Sequence, residues 1–423
     1  MNERLIAWLL RKRLMYDLVG GGLKLYYARD ENPAFRIWVS FLLRTSREAF
    51  TRTKPVIWSS AFVPAELVYG FGAVPIHPEI LASLMAYFNI SNWFLERADT
   101  KISTDLCSFY RIALGMALAD LLPRPDVLLS SSLLCDGSNK FFGYISQLYK
   151  VPHLFLDVPY HNGKQGQRYL TDQLQNLVDL MPRLIGTPWR AERLERAIAL
   201  SNQARAYLLQ INELRKARPA PFLGSEALSF GAGMLFCSLG SEEGVRFYKA
   251  LFKFIEHNVH HKIACPPQQK QRLLWLHHIR PYYPNNIFEV LHAKGAAVVF
   301  EETNHVYWPP LRRETILDSL CEKMLSNGSN GPLERRVQIA LNMARTYAVD
   351  GAIHFSHWGC RQSCGGAAVL AQTLKARGIP CMILDGDGGD PSNYSPAQSQ
   401  TRLEAFIEML ESEARPEAHT GLP

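Results

Sequence analysis

Nowhere in the 423 residues does an apolar run approach the roughly 20 residues that a membrane-spanning helix needs. The start, MNERLIAWLLRKRLMYDL, breaks its short apolar run with acids and bases and has no small-residue cleavage site, unlike a signal peptide. Compact cysteine spacing of the ferredoxin or zinc type is missing. The SLGSEEG and DGDGGD stretches lack the Lys and Ser/Thr of a phosphate loop, and their acids would repel phosphate, so the chain is not expected to bind ATP itself. Net charge is only +7, with no arginine-rich arm and no aromatic–basic platform, which argues against nucleic acid. Arg4, Arg11, Lys12 and Arg13 gather near the start but read as the solvated face of an amphipathic helix. A cytoplasmic chain with eight reduced cysteines and no membrane partner is the expectation.

What is present is a globular chain, 47% hydrophobic and 20% charged, too long for one ordinary core. Leu5, Trp8, Leu9 and Leu14 recur at helical spacing, so residues 1–52 read as a helical segment. Short apolar runs at 56–60, 73–77, 126–131 and 153–158 read as buried strands, followed by a helical stretch at 172–216. A second series, at 272–277, 297–301, 352–356 and 380–384, follows the Pro219–Pro221 break. Strands alternating with helices predict an α/β fold with two Rossmann- or flavodoxin-like parallel-sheet lobes, 53–218 and 219–423.

The halves resemble each other. KPVIWSSAFVPAELVYGFGAVPIHPE and QRLLWLHHIRPYYPNNIFEVLHAKGAAVVFEE share the order strand with Trp, Pro-containing loop, helix, Gly, strand, acid. RPDVLLSSSLLCDGSNKFFGYISQLYKVPHLFLD and AVDGAIHFSHWGCRQSCGGAAVLAQTLKARGIPCMILD each run from an Asp through a strand to a Ser-bearing turn, a Cys and a helix. Cys135 and Cys360 thereby fall at equivalent points past a strand's carboxyl end, where open α/β sheets build their sites.

Cys107 also directly precedes a helix, SFYRIALGMALADLL. Free N–H groups and the helix dipole favour thiolate at such positions and suit a negatively charged cluster. Of the others, Cys381 reads as a core thiol, Cys321 lies inside a helix, Cys265 is in a loop and Cys237 is placed to open a helix. Cys364, one turn after Cys360, is the most credible additional ligand. On the residues alone, an iron–sulfur cluster, a redox thiol and plain structural cysteines all remain open.

Seven pieces, in order from Trp58 to Leu410, carry a resemblance: SSAFVPAELVYGFGAVPIHPE, LCSFYRIALG, LLSSSLLCDGSNK, VPHLFLDVPY, HFSHWGCRQSCGG, GIPCMILDGDGGD and QTRLEAFIEML. Together they resemble the 2-hydroxyacyl-CoA dehydratase and benzoyl-CoA reductase family. The resemblance implies a [4Fe–4S] cluster between the two lobes, held by Cys107, Cys135 and Cys360, with Cys364 as the alternative to Cys360. It implies an acyl-CoA substrate, an ATP-dependent iron–sulfur activator protein that delivers one electron, and a paralogous subunit or second copy as partner. In the dehydratases a ketyl radical lets hydroxide leave from C2 and a proton from C3; in the reductases electrons enter an aromatic ring. A non-catalytic electron-relay subunit is the competing reading from another class.

Glu66, in the first strand–helix connection, is a candidate for meeting substrate, or else a first-turn acid serving the helix dipole. Ser59 and Ser60 end the first strand and are placed to hydrogen-bond a thioester carbonyl or simply to make a turn. His357 and Arg361 flank Cys360. The histidine suits a cluster sulfide or a proton relay, or is an ordinary loop residue. The arginine suits a CoA phosphate or a nearby acid.

Overall fold

The computed structural model describes residues 3–27 and 32–413. Strands β1 (Val56–Ser59), β2 (Val74–Ile76), β3 (Val127–Ser131) and β4 (His153–Leu156) form one parallel sheet in the order β2-β1-β3-β4. Strands β5 (Gln271–Leu276), β6 (Ala296–Glu301), β7 (Gly351–His357) and β8 (Cys381–Gly386) form the other in the order β6-β5-β7-β8. All eight expected strands are present, their ends displaced by at most two residues. The runs read clearly because most of these strands are buried on both faces, as helices cover both sides of a parallel sheet.

The matching strand orders give the internal repeat a physical basis. Asp126, at the start of β3, accepts from the Val56 amide at 2.7 Å and donates its own amide to the Val56 carbonyl at 2.8 Å. Asp350 makes the same pair of bonds to Arg272, at 2.7 and 2.8 Å. The Asp that begins each half-motif thus ties the third strand to the first. Trp58 and Trp275, central in β1 and β5, are both fully buried and spend their indole N–H on loop carbonyls of Pro123 and Ile279.

The structure differs locally from the sequence reading. The helical stretch at 172–216 is two helices, Lys164–Ile185 and Ala191–Leu214, because Gly186 takes a left-handed φ of 64° and Pro188 follows. The N-terminal segment is helical, as Glu3–Leu10, Arg13–Tyr26 and Pro33–Phe50, but its apolar stripe is not inward-facing. Leu5, Trp8 and Leu14 are more than half exposed. Cys237 ends the Ala232–Ser238 helix rather than opening the next, which Ser241 caps through the Gly244 amide. Packing also crosses the two chain halves: the Ile316–Leu325 helix lies against Lys164–Ile185 and joins the core of the first sheet. Among the described residues no helix is long and apolar enough to cross a membrane.

His77, just past β2, is buried, with Nδ1 2.9 Å from the Ser59 carbonyl and Nε2 unpartnered. Burial lowers its pKa to about 4, against the opposing pull of the Ser59 bond. An unfolded histidine titrates near ~6.5, so between there and about 4 the unfolded chain binds a proton that the fold refuses. Stability is therefore lost as pH falls through that window. Melting curves from about pH 7 to about pH 4 should show a falling Tm that is shallower in His77→Gln. An equal slope in the variant would clear His77 of the effect.

Candidate functional site

Cys107, Cys135 and Cys360 occupy the N-cap positions of Ser108–Leu118, Asp136–Tyr149 and the short turn Arg361–Cys364. Cys135 and Cys360 follow β3 and β7, the equivalent strands; Cys107 comes from an irregular loop. All three line a single cavity of about 580 Å³. Their backbones meet closely. A Cβ on Gly359 would lie 2.4 Å from Cys107 Cα, and one on Gly137 would lie 3.7 Å from Cys107 Cβ. Gly359, beside Cys360, thus admits the Cys107 loop, whereas a side chain at Gly137 would only touch it.

Helix-end activation of the thiols does not win. Burial pushes all three pKa values up, Cys135 to about 12; Cys135 and Cys360 raise Cys107 further, and Cys360 raises Cys135. Amides of Phe109, Ser138 and Ser363 act in the expected direction on the three thiols but are outweighed by desolvation. The thiols are neutral unless positive charge is brought to them.

Histidines support two of the sulfurs. Gly388 donates its amide to His357 Nδ1 at 3.1 Å, so the ring proton sits on Nε2 and points at Cys107 Sγ, 3.2 Å away. His277 Nε2 lies 3.7 Å from Cys360 Sγ. Neighbouring His278 lines the cavity with both ring nitrogens buried and unpartnered, its ring edge-on to Phe62. Cys364 does not line the cavity; its thiol donates to the His357 carbonyl at 3.2 Å.

Reading the sequence missed His277, His278 and, above all, Glu79. It lines the cavity from the first turn of Pro78–Tyr87, and its Oε1 accepts from the Ala61 amide at 2.7 Å and the Tyr110 hydroxyl at 3.2 Å. Oε2 is buried with no partner, and burial raises the carboxyl pKa to about 7. The internal repeat carried the signal. Glu302, the matching acid after β6, accepts from the His277 amide at 2.7 Å, just as Glu79 accepts from Ala61 after β1. The two then diverge. Burial would raise the Glu302 pKa too, but Arg336 clamps both its oxygens at 2.7 and 2.8 Å and holds it far below the usual carboxylate range. One half keeps a proton-carrying acid, the other a fixed anion.

Of the remaining candidates, Ser60 lines the cavity, whereas Ser59 points to His77 at 3.3 Å. Glu66 does not reach the thiols. It is fully buried, accepts from Ser201 at 2.6 Å and Lys323 at 2.7 Å, and borders a separate, smaller cavity. Arg361 pairs with Asp136 at 3.4 Å on the surface.

Residues 60–410 match the family described as 2-hydroxyglutaryl-CoA dehydratase, D-component. The (R)-phenyllactyl-CoA dehydratase alpha subunit of Clostridium sporogenes is 24% identical over 388 residues, covering 86% of this chain and 91% of the relative. The alpha subunit of (R)-2-hydroxyglutaryl-CoA dehydratase of Acidaminococcus fermentans is 25% identical over 299 residues, covering 69% and 61%. A subunit of the benzoyl-CoA reductase of Thauera aromatica is 24% identical over 381 residues, covering 83% and 88%.

Proposed function

The chain belongs to the 2-hydroxyglutaryl-CoA dehydratase D-component family, and from that premise we propose that it is the iron–sulfur subunit of an enzyme removing water from a 2-hydroxyacyl-CoA. The observation that carries this reading is the meeting of three thiols, an unpartnered carboxylate oxygen and an unpartnered histidine around one cavity.

Cys107, Cys135 and Cys360 would hold a [4Fe–4S] cluster, for which soft sulfur donors are the suitable ligands. Among the described residues no three His, Cys, Asp or Glu side chains group as ligands of a single metal ion. The cost of ionising three buried thiols is offset only by a positively charged metal centre. When bound, such a cluster supplies one-electron chemistry at low potential.

This chain's own residues bind, orient and move protons. His278 is available to donate to the thioester carbonyl, and Ser60 lies in the same lining. Glu79 Oε2 takes the C3 proton once the C2–hydroxyl bond is weakened, and with a pKa near neutrality it exchanges that proton readily. His357 fixes the Cys107 sulfur from behind, a positioning role. The mostly apolar side chains lining the cavity disfavour water beside the reacting carbons. Glu66, paired with Lys323, anchors the loop after β1 rather than touching substrate. An ATP-dependent iron–sulfur activator would supply the electron. A paralogous subunit or second copy completes the enzyme; the relatives' own names, each that of one subunit among several, support this.

The likeness to a benzoyl-CoA reductase supports a second reading, reduction of a CoA ester on the same residues. Anaerobic assay with partner and activator separates them: water loss is expected, and ring reduction would assign the reductase. Glu79→Gln should lower turnover by about 10²–10⁴-fold, as loss of a proton-transferring group does. Full turnover in that variant would assign the chain to electron relay instead.

A further inference from the structure

We propose that the N-terminal helix Pro33–Phe50, which lies before the family match, is the wall that selects a bulky apolar acyl group and disfavours a dicarboxylic one. The inference deepens the acyl-CoA reading above and rests on it. Phe35, Trp38, Val39, Leu42 and Leu43 all line the cavity. Their spacing, i, i+3, i+4, i+7 and i+8, puts them on one face of the helix. The face serves both core and cavity: Trp38 is buried in the core that Phe35 and Leu42 also pack against, while Phe35, Val39, Leu42 and Leu43 are only partly buried and line the cavity.

The opposing walls are shaped to receive it. A Cβ on Gly233 would lie 2.6 Å from the Trp38 indole, so that glycine makes room for the ring. Phe35 meets Phe230 edge-on at 5.5 Å. Ile80 and Leu84, on the same helix as Glu79, complete the lining between the apolar wall and the proton-carrying acid. An acyl chain whose reacting carbons lie at Glu79 therefore runs its tail against indole, phenyl and leucine surface.

Charged groups in the lining are few. Of the described lining residues, the arginines and lysines reduce to Arg280. Its guanidinium is held between the Tyr282 and Phe288 rings at 5.5 and 5.4 Å and donates twice to Ser229 Oγ. Burial lowers its pKa from the ordinary arginine value, yet a guanidinium remains a cation. That guanidinium is already engaged by Ser229 and the two rings, and the Phe35–Leu43 face carries no cation of its own in the lining. A second carboxylate on the acyl tail would have to be stripped of water against the apolar wall without a partner.

Binding of unreactive thioesters to the anaerobically prepared, cluster-containing protein, followed by titration calorimetry, tests this. Phenylpropanoyl-CoA should bind about tenfold or more tighter than glutaryl-CoA or acetyl-CoA, since one methylene in an apolar pocket can discriminate by that much. Leu42→Trp, which fills the cavity from the N-terminal helix, should reduce the phenylpropanoyl-to-acetyl preference by about tenfold. Leu84→Trp fills it from the opposite wall and should do the same if the first variant fails to fold. Tighter binding of glutaryl-CoA that disappears in Arg280→Met would overturn the proposal, as would an unchanged preference in both filling variants. Failure of every thioester to bind would sink the acyl-CoA reading itself.

Discussion

Replacing Cys107, Cys135 or Cys360 singly with Ser is expected to strip the anaerobically isolated protein of most of its iron and of its turnover. Hard hydroxyl oxygen is a poor substitute for thiolate sulfur at iron. Loss of an outer partner of a metal ligand alone costs about 10–100-fold, so loss of a ligand should exceed that range. His357→Asn, which removes the donor behind Cys107 but no sulfur, should fall inside the range and keep part of the iron. Cys364→Ser and Cys321→Ser are the controls, because neither thiol lines the cavity. The metal-free proteins should melt alike, since the three thiols are neutral when no metal is present. Full iron retention in any one of the three Ser variants would remove that cysteine from the ligand set.

Arg336→Met is expected to be strongly destabilising although it lies away from the thiols. Both Arg336 and Glu302 are nearly fully buried, and the clamp between them is bidentate. Removing one partner leaves an uncompensated buried charge, a loss of about 3–5 kcal/mol. The pH dependence should also reverse. In the native protein the Glu302 pKa is depressed, so its contribution is present above the unfolded value of about 4.3 and is lost as pH falls through the folded value. In the variant, burial without the cation would raise that pKa, as it does for Glu79, so stability would instead be lost as pH rises. Denaturant melts of the two proteins should therefore differ most at neutral pH, and the gap should narrow steadily as the solution is acidified. Glu302→Gln added to Arg336→Met should recover part of the loss. A constant gap at every pH would mean that the arginine contributes packing and not charge.

The strands were legible because each is a short apolar run bounded by Pro, Gly or Asp, and because the two halves repeat the pattern. The equivalence of Cys135 and Cys360 followed from the same repeat, and Cys107 from the helix that begins after it. What sequence spacing did not carry is which acids and bases face inward. Glu79 follows His77-Pro78 and reads as a dipole-complementing first-turn acid, yet its environment is set by Ala61 and Tyr110, 18 and 31 residues away. Glu66 looked equally well placed, and the difference is Lys323, 257 residues distant in the chain. Helix-end logic also misjudged the thiols, because the amides that favour thiolate are local while the desolvation that opposes them belongs to the whole cavity. The N-terminal spacing of Leu5, Trp8 and Leu14 announced a helix, but not that this stripe is exposed; the face that matters to the site begins at Phe35.

The central claim is that the cluster thiols and the acyl-binding wall share one cavity, and electron paramagnetic resonance of the reduced, reconstituted protein tests it most directly. Adding an acyl-CoA should change the line shape of the iron–sulfur signal, and Glu79→Gln should alter that response without abolishing the signal. A spectrum indifferent to every acyl-CoA, in a protein that retains its full complement of iron, would contradict the account.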